Sequence, residues 1–310
     1  MALLTTAALA AALAGTVAGE VRIAREADAT ETRLQVRAGA HRPIDADTGV
    51  RAHLDAQLVG SAEATRAGRV NEAWLGADLP DGWAVVAGRR IVAWDVGHGL
   101  RPNDVVQREP RRPLLPATPQ GRGVLQIERA DADTATTLVA IEPLRRPDDP
   151  AGGAALALRH FRRAGASLDL HLHADWRRDS RLAAGLALAW IASDALGVHA
   201  STRWQPARGV HQSLAGLSWT GGPGLTVTAE AWHDGEARPR ATRLATYLRA
   251  SLDLGAWTPA IDLLHHPRDG GRVIGAGLTW QGDRWRMDAA WRLRQGPDRR
   301  HAAIAATLAF

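Results

Sequence analysis

The 310-residue chain reads as all-β: a closed antiparallel β-barrel that crosses a membrane, with about 16–18 strands and 18 the preferred count. Three observations predict it. Apolar and polar residues alternate through nearly the whole chain, as successive side chains do on the two faces of a strand. Twelve Trp, against two Phe and one Tyr, fall near strand ends, where interfacial aromatic girdles sit. No later stretch of about 18 consecutive apolar residues exists, so no transmembrane helix is indicated.

The pattern is clearest near the last residue. Trp285, Met287, Ala289, Trp291 and Leu293 share one face; Arg284, Arg286, Asp288, Ala290, Arg292 and Arg294 share the other. A helix would scatter those arginines around its circumference. After Gln295–Asp298 the alternation resumes, Ile304, Ala306, Leu308 and Phe310 opposing His301, Ala303, Ala305 and Thr307. A soluble sandwich also alternates, but it buries one face of each of two sheets. A polar face recurring on strand after strand suits lipid outside and water inside.

Taken in order, residues 1–19 are small and apolar and end in Thr16-Val17-Ala18, which resembles a secretory signal peptide without a basic start. Residues 20–310 then form one barrel domain with no linker. Glu20–Glu26 is a weak strand, Arg33–His41 and Arg51–Val59 are better, and Pro43–Gly49 is a turn. Val70–Leu79 and Trp83–Trp94 are joined by Pro80-Asp81-Gly82. From Asp95 to Gly123 the rhythm stops, and five prolines between Pro102 and Pro119 forbid a central strand or an ordinary helix. So long an irregular segment is functional or disordered. Strands resume at Val124–Arg129 and Thr136–Glu142, followed by a polar connection. Ala154–Phe161 reads as irregular. Ser167–Arg177 is a clear strand, with Asp169, His171, His173, Asp175 and Arg177 on its polar face. Arg181–Ile191, Leu196–Trp204, Ser213–Thr220, Leu225–Trp232, Arg243–Asp253, Trp257–Leu264, Arg272–Trp280, Arg284–Arg294 and His301–Phe310 complete the series.

The net charge is +5, every basic side chain is Arg, and there is no Cys. Without Cys there is no disulfide framework and no thiolate metal site. The arginines alternate with Asp, Glu and His along strands instead of clustering on one surface, which argues against nucleic acid. No nucleotide loop, dinucleotide fingerprint, zinc-protease helix or calcium loop occurs. No cofactor or metal is expected.

Phe310, closing an alternating strand, resembles the terminal signature of bacterial outer-membrane barrels, which implies recognition by the barrel-assembly machinery. The run Gly88-Arg89-Arg90-Ile91-Val92-Ala93-Trp94-Asp95, followed by Gly97-His98-Gly99 and Arg101-Pro102-Asn103-Asp104, resembles poorly characterised porin-like outer-membrane proteins. In those, a strand G-R-x-x-x-x-W-G leads into a loop with N-P-x-D. Here Asp95 stands in place of the Gly, and Pro102 precedes Asn103. The resemblance covers about residues 70 to 130 and implies a bacterial outer-membrane location, lipid around the barrel and a porin-like role without naming a solute.

The sharpest functional expectation is that the proline-rich segment folds into the lumen and narrows it, with Asp95, Arg101, Asp104, Arg108, Arg111 and Arg112 at the constriction. Arg37, Asp169, His171, His173, Asp175, Arg203, Arg249, Arg286 and Arg292 would line the lumen. Arginine stays charged at any relevant pH, and a ring of it favours anions. Passive diffusion of small polar or anionic solutes would follow. Two alternatives stand beside it. A barrel hydrolase acting on lipid or peptide would use the Asp169–His171–His173–Asp175 stripe as base or metal ligands, although no nucleophile is identified; His265-His266 is weaker, since neighbours on a strand point oppositely. A plugged barrel would tie its lumen charges into one network and bind a partner.

Overall fold

The computed structural model describes the backbone of residues 16–26, 29–45, 49–61, 67–106, 119–142, 155–177, 181–295 and 300–309. Side chains of 16–45, 57–61, 67, 69, 300–303 and 307–309 lie outside that description, as do Arg108, Arg111 and Arg112 altogether. The strands are β1 (Thr16–Glu26), β2 (Ala29–Asp45), β3 (Val50–Ser61), β4 (Ala67–Asp78), β5 (Trp83–Arg90), β6 (Arg122–Ala130), β7 (Thr134–Ile141), β8 (Ala155–Ala164) and β9 (Leu168–Arg177). They continue as β10 (Arg181–Ser193), β11 (Leu196–Gln205), β12 (Val210–Gly221), β13 (Leu225–Asp234), β14 (Leu244–Leu252), β15 (Trp257–His265), β16 (Arg272–Gln281), β17 (Trp285–Arg294) and β18 (Arg300–Ala309). Sixteen of them, β3–β18, have side chains described in whole or in part; β1 and β2 are placed by backbone alone. The only helical pieces among the described residues are three short 3₁₀ turns.

Each strand pairs antiparallel with its sequence neighbour. β18 pairs back on β1, from Ala18↔Ala309 to Glu26↔His301. The leader assignment lies almost wholly outside the described residues; β1 takes in its last four positions, Thr16–Gly19. One end of the sheet carries short connections such as 131–133, 165–167, 194–195 and 222–224, whereas the other carries 91–121, 142–154 and 235–243.

Burial separates the two faces. Leu125, Leu138, Leu156, Leu172, Leu186, Leu217, Leu248, Ile274 and Met287 are exposed on one side. Asp55, Gln126, His171, Asp175, Arg203, Gln212, Glu230 and Asp288 are buried on the other. The outward positions of the described strands β3–β17 carry no Asp or Glu. Nine tryptophans face outward; five of them, Trp83, Trp190, Trp219, Trp257 and Trp285, cluster toward the short-turn end, while Trp176 and Trp204 lie toward the other. Trp257 and Trp280 are direct cross-strand partners, with ring centroids 6.3 Å apart.

Four expectations need correction. Not every Trp belongs to a girdle: Trp94 and Trp232 are buried inside, and Trp74 stacks on inward His53 at 5.4 Å. β5 ends at Arg90, four residues before the expected Trp94, because Ile91 N–H leaves the ladder and donates to Glu72 (3.0 Å). The stretch read as irregular is the regular strand β8. Its alternation was hidden because Ala155 and Ala157, on the inner face, are as apolar as Leu156 and Leu158 outside. They are apolar because inserted chain covers them, joining Val92, Trp94, Val105, Val106, Val124, Val139 and Ile141 in one buried cluster. Pro43, expected in a turn, lies within β2 next to a register shift between Pro43 and Asp45, where a missing N–H is tolerated.

Gly88 has φ +130°, and a Cβ there would come within 2.3 Å of the Ala73 carbonyl and 2.7 Å of Trp74 Cα. Gly88→Val should therefore destabilise the β4–β5 pairing by about 1–3 kcal/mol or more. The check is the fraction of folded, heat-modifiable protein on an unboiled gel.

Candidate functional site: the inserted segment 91–106

Residues 91–106 leave β5, cross the interior and pack on the wall made by β6–β13. Irregular backbone away from water must find partners for its N–H groups. Here carboxylates supply them. Asp104 Oδ1 accepts from Trp94 N (2.7 Å) and Asp95 N (2.9 Å). Asp95 accepts from Val96 N (2.9 Å) and, through Oδ2, from Asn103 N (2.6 Å) and Ser201 Oγ (2.9 Å). Glu230 on β13 takes His98 N and Gly99 N, both at 2.7 Å, and pairs with His199 Nε2 at 2.8 Å.

Asn103 is the deepest fastening. Its Nδ2 lies 2.9 Å from Ser201 Oγ, with the carbonyls of Thr202 and Leu186 at 3.2 and 3.3 Å. It can approach so closely because Gly185 on β10 has no side chain: a Cβ there would meet Asn103 Oδ1 at 1.9 Å. Gly99 likewise lies flat on Trp232, where a Cβ would come within 2.5 Å of the ring. Leu100 packs against the buried set Leu214, Trp232, Ala245 and Tyr247. Arg177 donates to the Val105 carbonyl at 2.5 Å.

The structure sorts the residues singled out from sequence into three groups. Asp95 and Asp104 hold the segment's own backbone, and Arg101 donates to the Gly97 carbonyl (2.5 Å) and lies 3.6 Å from Asp104. His171, His173, Asp175 and Arg203 are inward but buried. Arg203 grips Asp175 with contacts of 2.8 and 3.0 Å, Arg159 lies 3.0 Å from His171, and Trp94 packs beside His173 at 6.1 Å. Asp169, nearer the short-turn end, pairs with Arg163 at 3.2 Å. The third group, Arg249, Arg286 and Arg292, lines a cavity of about 320 Å³ with Asp262 and Asp288. Arg286 is held by Asp288 at 2.8 Å, and Tyr247 borders both this cavity and the buried set under Leu100. Arg37 is paired with Gln57 in the ladder, its side chain outside the described residues.

Burial raises the Asp95 carboxyl above its ordinary value, against the opposing hydrogen bonds from Asn103, Ser201 and Val96. Desolvation lowers the His98 imidazole, with Glu230 pulling the other way and His199, Arg101 and Arg249 adding to the fall. Among the described residues no group of three His, Asp or Glu is disposed to hold a metal ion.

Sequence reasoning missed Asn103, Gly185, Ser201, His199, Glu230 and Trp232 as functional positions. The available signal was Gly185, an isolated glycine inside a strand, which marks a close approach of other chain.

Asn103→Ala removes the contacts to β10 and β11, worth about 0.5–1.5 kcal/mol for each hydrogen bond lost. Glu230→Gln puts an amide N–H₂ where donors converge. Both variants should raise hydrogen exchange in 91–106 while the strands stay protected; unchanged exchange would show that neither contact holds the segment.

No protein-family model matches the chain, and no curated protein matches it. Solved structures do match. An engineered protein studied for asymmetric conductivity has a TM-score of 0.56 at 14% identity, over 96% of this chain and 99% of that one. A triply substituted Rh. blastica porin has a TM-score of 0.57 at 13% identity, with the same coverage, and a quintuply substituted form of that porin 0.57 at 14%. The chain therefore has the porin-like β-barrel fold.

Proposed function

We propose that the chain is a porin-like bacterial outer-membrane channel for passive diffusion of small polar or anionic solutes. The observation that carries the reading is the insertion of 91–106. It covers the wall β6–β13 and leaves the arginine-bearing wall β14–β17 beside it. Inward positions there hold Arg249, Arg286, Arg292 and Arg294 against Asp262 and Asp288, and small residues such as Gly275, Gly277, Ala260 and Ala290 leave room. At about 4 Å a unit charge pair is worth roughly 1–4 kcal/mol between water and a protein-surface dielectric, enough to bias passage without trapping a solute. Arg108, Arg111 and Arg112 enter the proposal through their charge alone.

The apolar, acid-free outer face supports contact with hydrocarbon. In bacterial barrels the short turns lie on the periplasmic side and the long connections outside. β18, which pairs with both β17 and β1, is then the segment offered to the assembly machinery. The buried histidines and carboxylates of β9 and β11 support a structural role beneath 91–106 better than a hydrolase, because Trp94 and Val105 occupy the ground a substrate would need.

In a planar bilayer the purified chain should conduct in steps with a weak anion preference. Arg249→Gln combined with Arg292→Gln should move the permeability ratio toward unity, and a triple neutralisation of Arg108, Arg111 and Arg112 measures the share of that stretch. Cation preference in the intact protein overturns the basic-lumen reading; absence of steps assigns a plugged cylinder. Leu172 is mid-strand and 53% exposed. Leu172→Arg should cost about 2–4 kcal/mol near the bilayer midplane, read as a lower urea midpoint in lipid vesicles. A neutral result would put that face in water.

A further inference from the structure

We infer that the outer face of β8–β14 holds one anionic glycerophospholipid, its acyl chain in a trough of small residues and its phosphate on Arg162, with Arg129 and His160 beside it. The inference rests on the membrane-spanning reading above. Outside the wall, Leu170, Leu172, Leu186, Leu188 and Ala200 surround a concavity of about 620 Å³, with His160 and Arg162 at its edge. A second concavity, of about 530 Å³, lies next to it over Ala215, Ala229 and Ala231 between Leu217 and Leu248. Ala200 pairs directly with Ala215, and Ala215 with Ala231. Three alanines in register on adjacent strands make a continuous floor. Strands lie about 4.8 Å apart, so the two concavities together span roughly 24 Å across the sheet from β9 to β14.

The trough begins at a basic corner. Arg162 is the cross-strand partner of Leu170, is exposed, and has no hydrogen-bond or ion-pair partner among the described residues. His160 Nδ1 lies 2.9 Å from Thr136 Oγ1, and Thr136 is in turn the partner of Arg129. Arg129 lies over the Trp83 ring at 5.8 Å. Trp83 and Trp190 put this corner near the short-turn end, at the depth where interfacial tryptophans mark the headgroups. No outward position on the described strands β3–β17 is a carboxylate, and the acidic residues at this end, such as Asp131 near Arg129, are confined to the turns. A lipid phosphate is the complementary anion, and Arg binds it in a two-pronged way.

The test is native mass spectrometry of the full chain in detergent, titrated with phosphatidylglycerol and with phosphatidylcholine of the same acyl chains. One phosphatidylglycerol should be retained in preference. Arg129→Gln with Arg162→Gln should weaken it by about fivefold for each arginine, while Arg268→Gln, in a turn at the opposite end, leaves it unchanged. Ala200→Trp should fill the trough and release the lipid while the folded band on an unboiled gel persists. Equal retention of the two lipids, or undiminished retention in the double variant, overturns the site. A multimer that Ala200→Trp disperses, without lipid release, assigns the trough to a second copy and also overturns it. Conductance on the same preparations separates the two readings: steps without lipid preference sink the lipid site alone, and failure to insert into vesicles sinks the membrane reading beneath it.

Discussion

The constraint on which the rest of the structure depends is the need to give irregular backbone, enclosed by a sheet, partners for its N–H groups. Between Ile91 and Asn103, seven backbone N–H groups end on carboxylates of only four residues, Glu72, Asp95, Asp104 and Glu230. Ionised acceptors make shorter and stronger bonds than neutral ones. Two of the four belong to the segment itself and two to the wall, so its internal shape and its anchorage use the same chemistry. The glycines follow from this: Gly99 and Gly185 are where side chains would hold the two surfaces apart.

Covering one side of the interior changes what its wall can be made of. On β6–β8 the inner face carries the apolar patch Val124, Val139, Ile141, Ala155 and Ala157, a layer suited to packing, next to the buried polar Arg122, Gln126 and Thr137. On β9 and β11 it is the ion pair of Asp175 and Arg203, hidden from solvent, beside a buried His173 whose ring nitrogens meet no hydrogen-bond partner among the described residues. Buried ion pairs of this kind are weak evidence for stability; their geometry here sets where Trp94 and Val105 rest. On β14–β17 the inner positions keep the small-and-charged character of a wetted surface.

Period-two alternation made the architecture legible, because outward and inward positions differ in polarity wherever inserted chain does not cover the interior. Where inserted chain replaced water the contrast vanished, and β8 looked like no strand at all. The acidic residues of 95–104 were legible as important, but alternation says nothing about whether a carboxylate faces solvent or folds back on its own backbone. Glu230 and His199 were equally silent: each is one more polar residue on a polar face, and the residue of the inserted segment that each meets, His98, lies more than 90 residues away in the chain. Trp232 followed the girdle pattern by composition and departed from it by register.

The distance in sequence between the inserted segment and its anchors orders events in time. His98 reaches Glu230 across 132 positions and Asn103 reaches Ser201 across 98. When residues 91–106 leave a ribosome or a translocation pore, the hairpins that will hold them do not yet exist. Contacts of such separation form only after the intervening loop entropy has been overcome. The segment must therefore wait, and its docking reports that β10–β13 have paired in register; maturation of the interior is a late step, coupled to completion of the far wall.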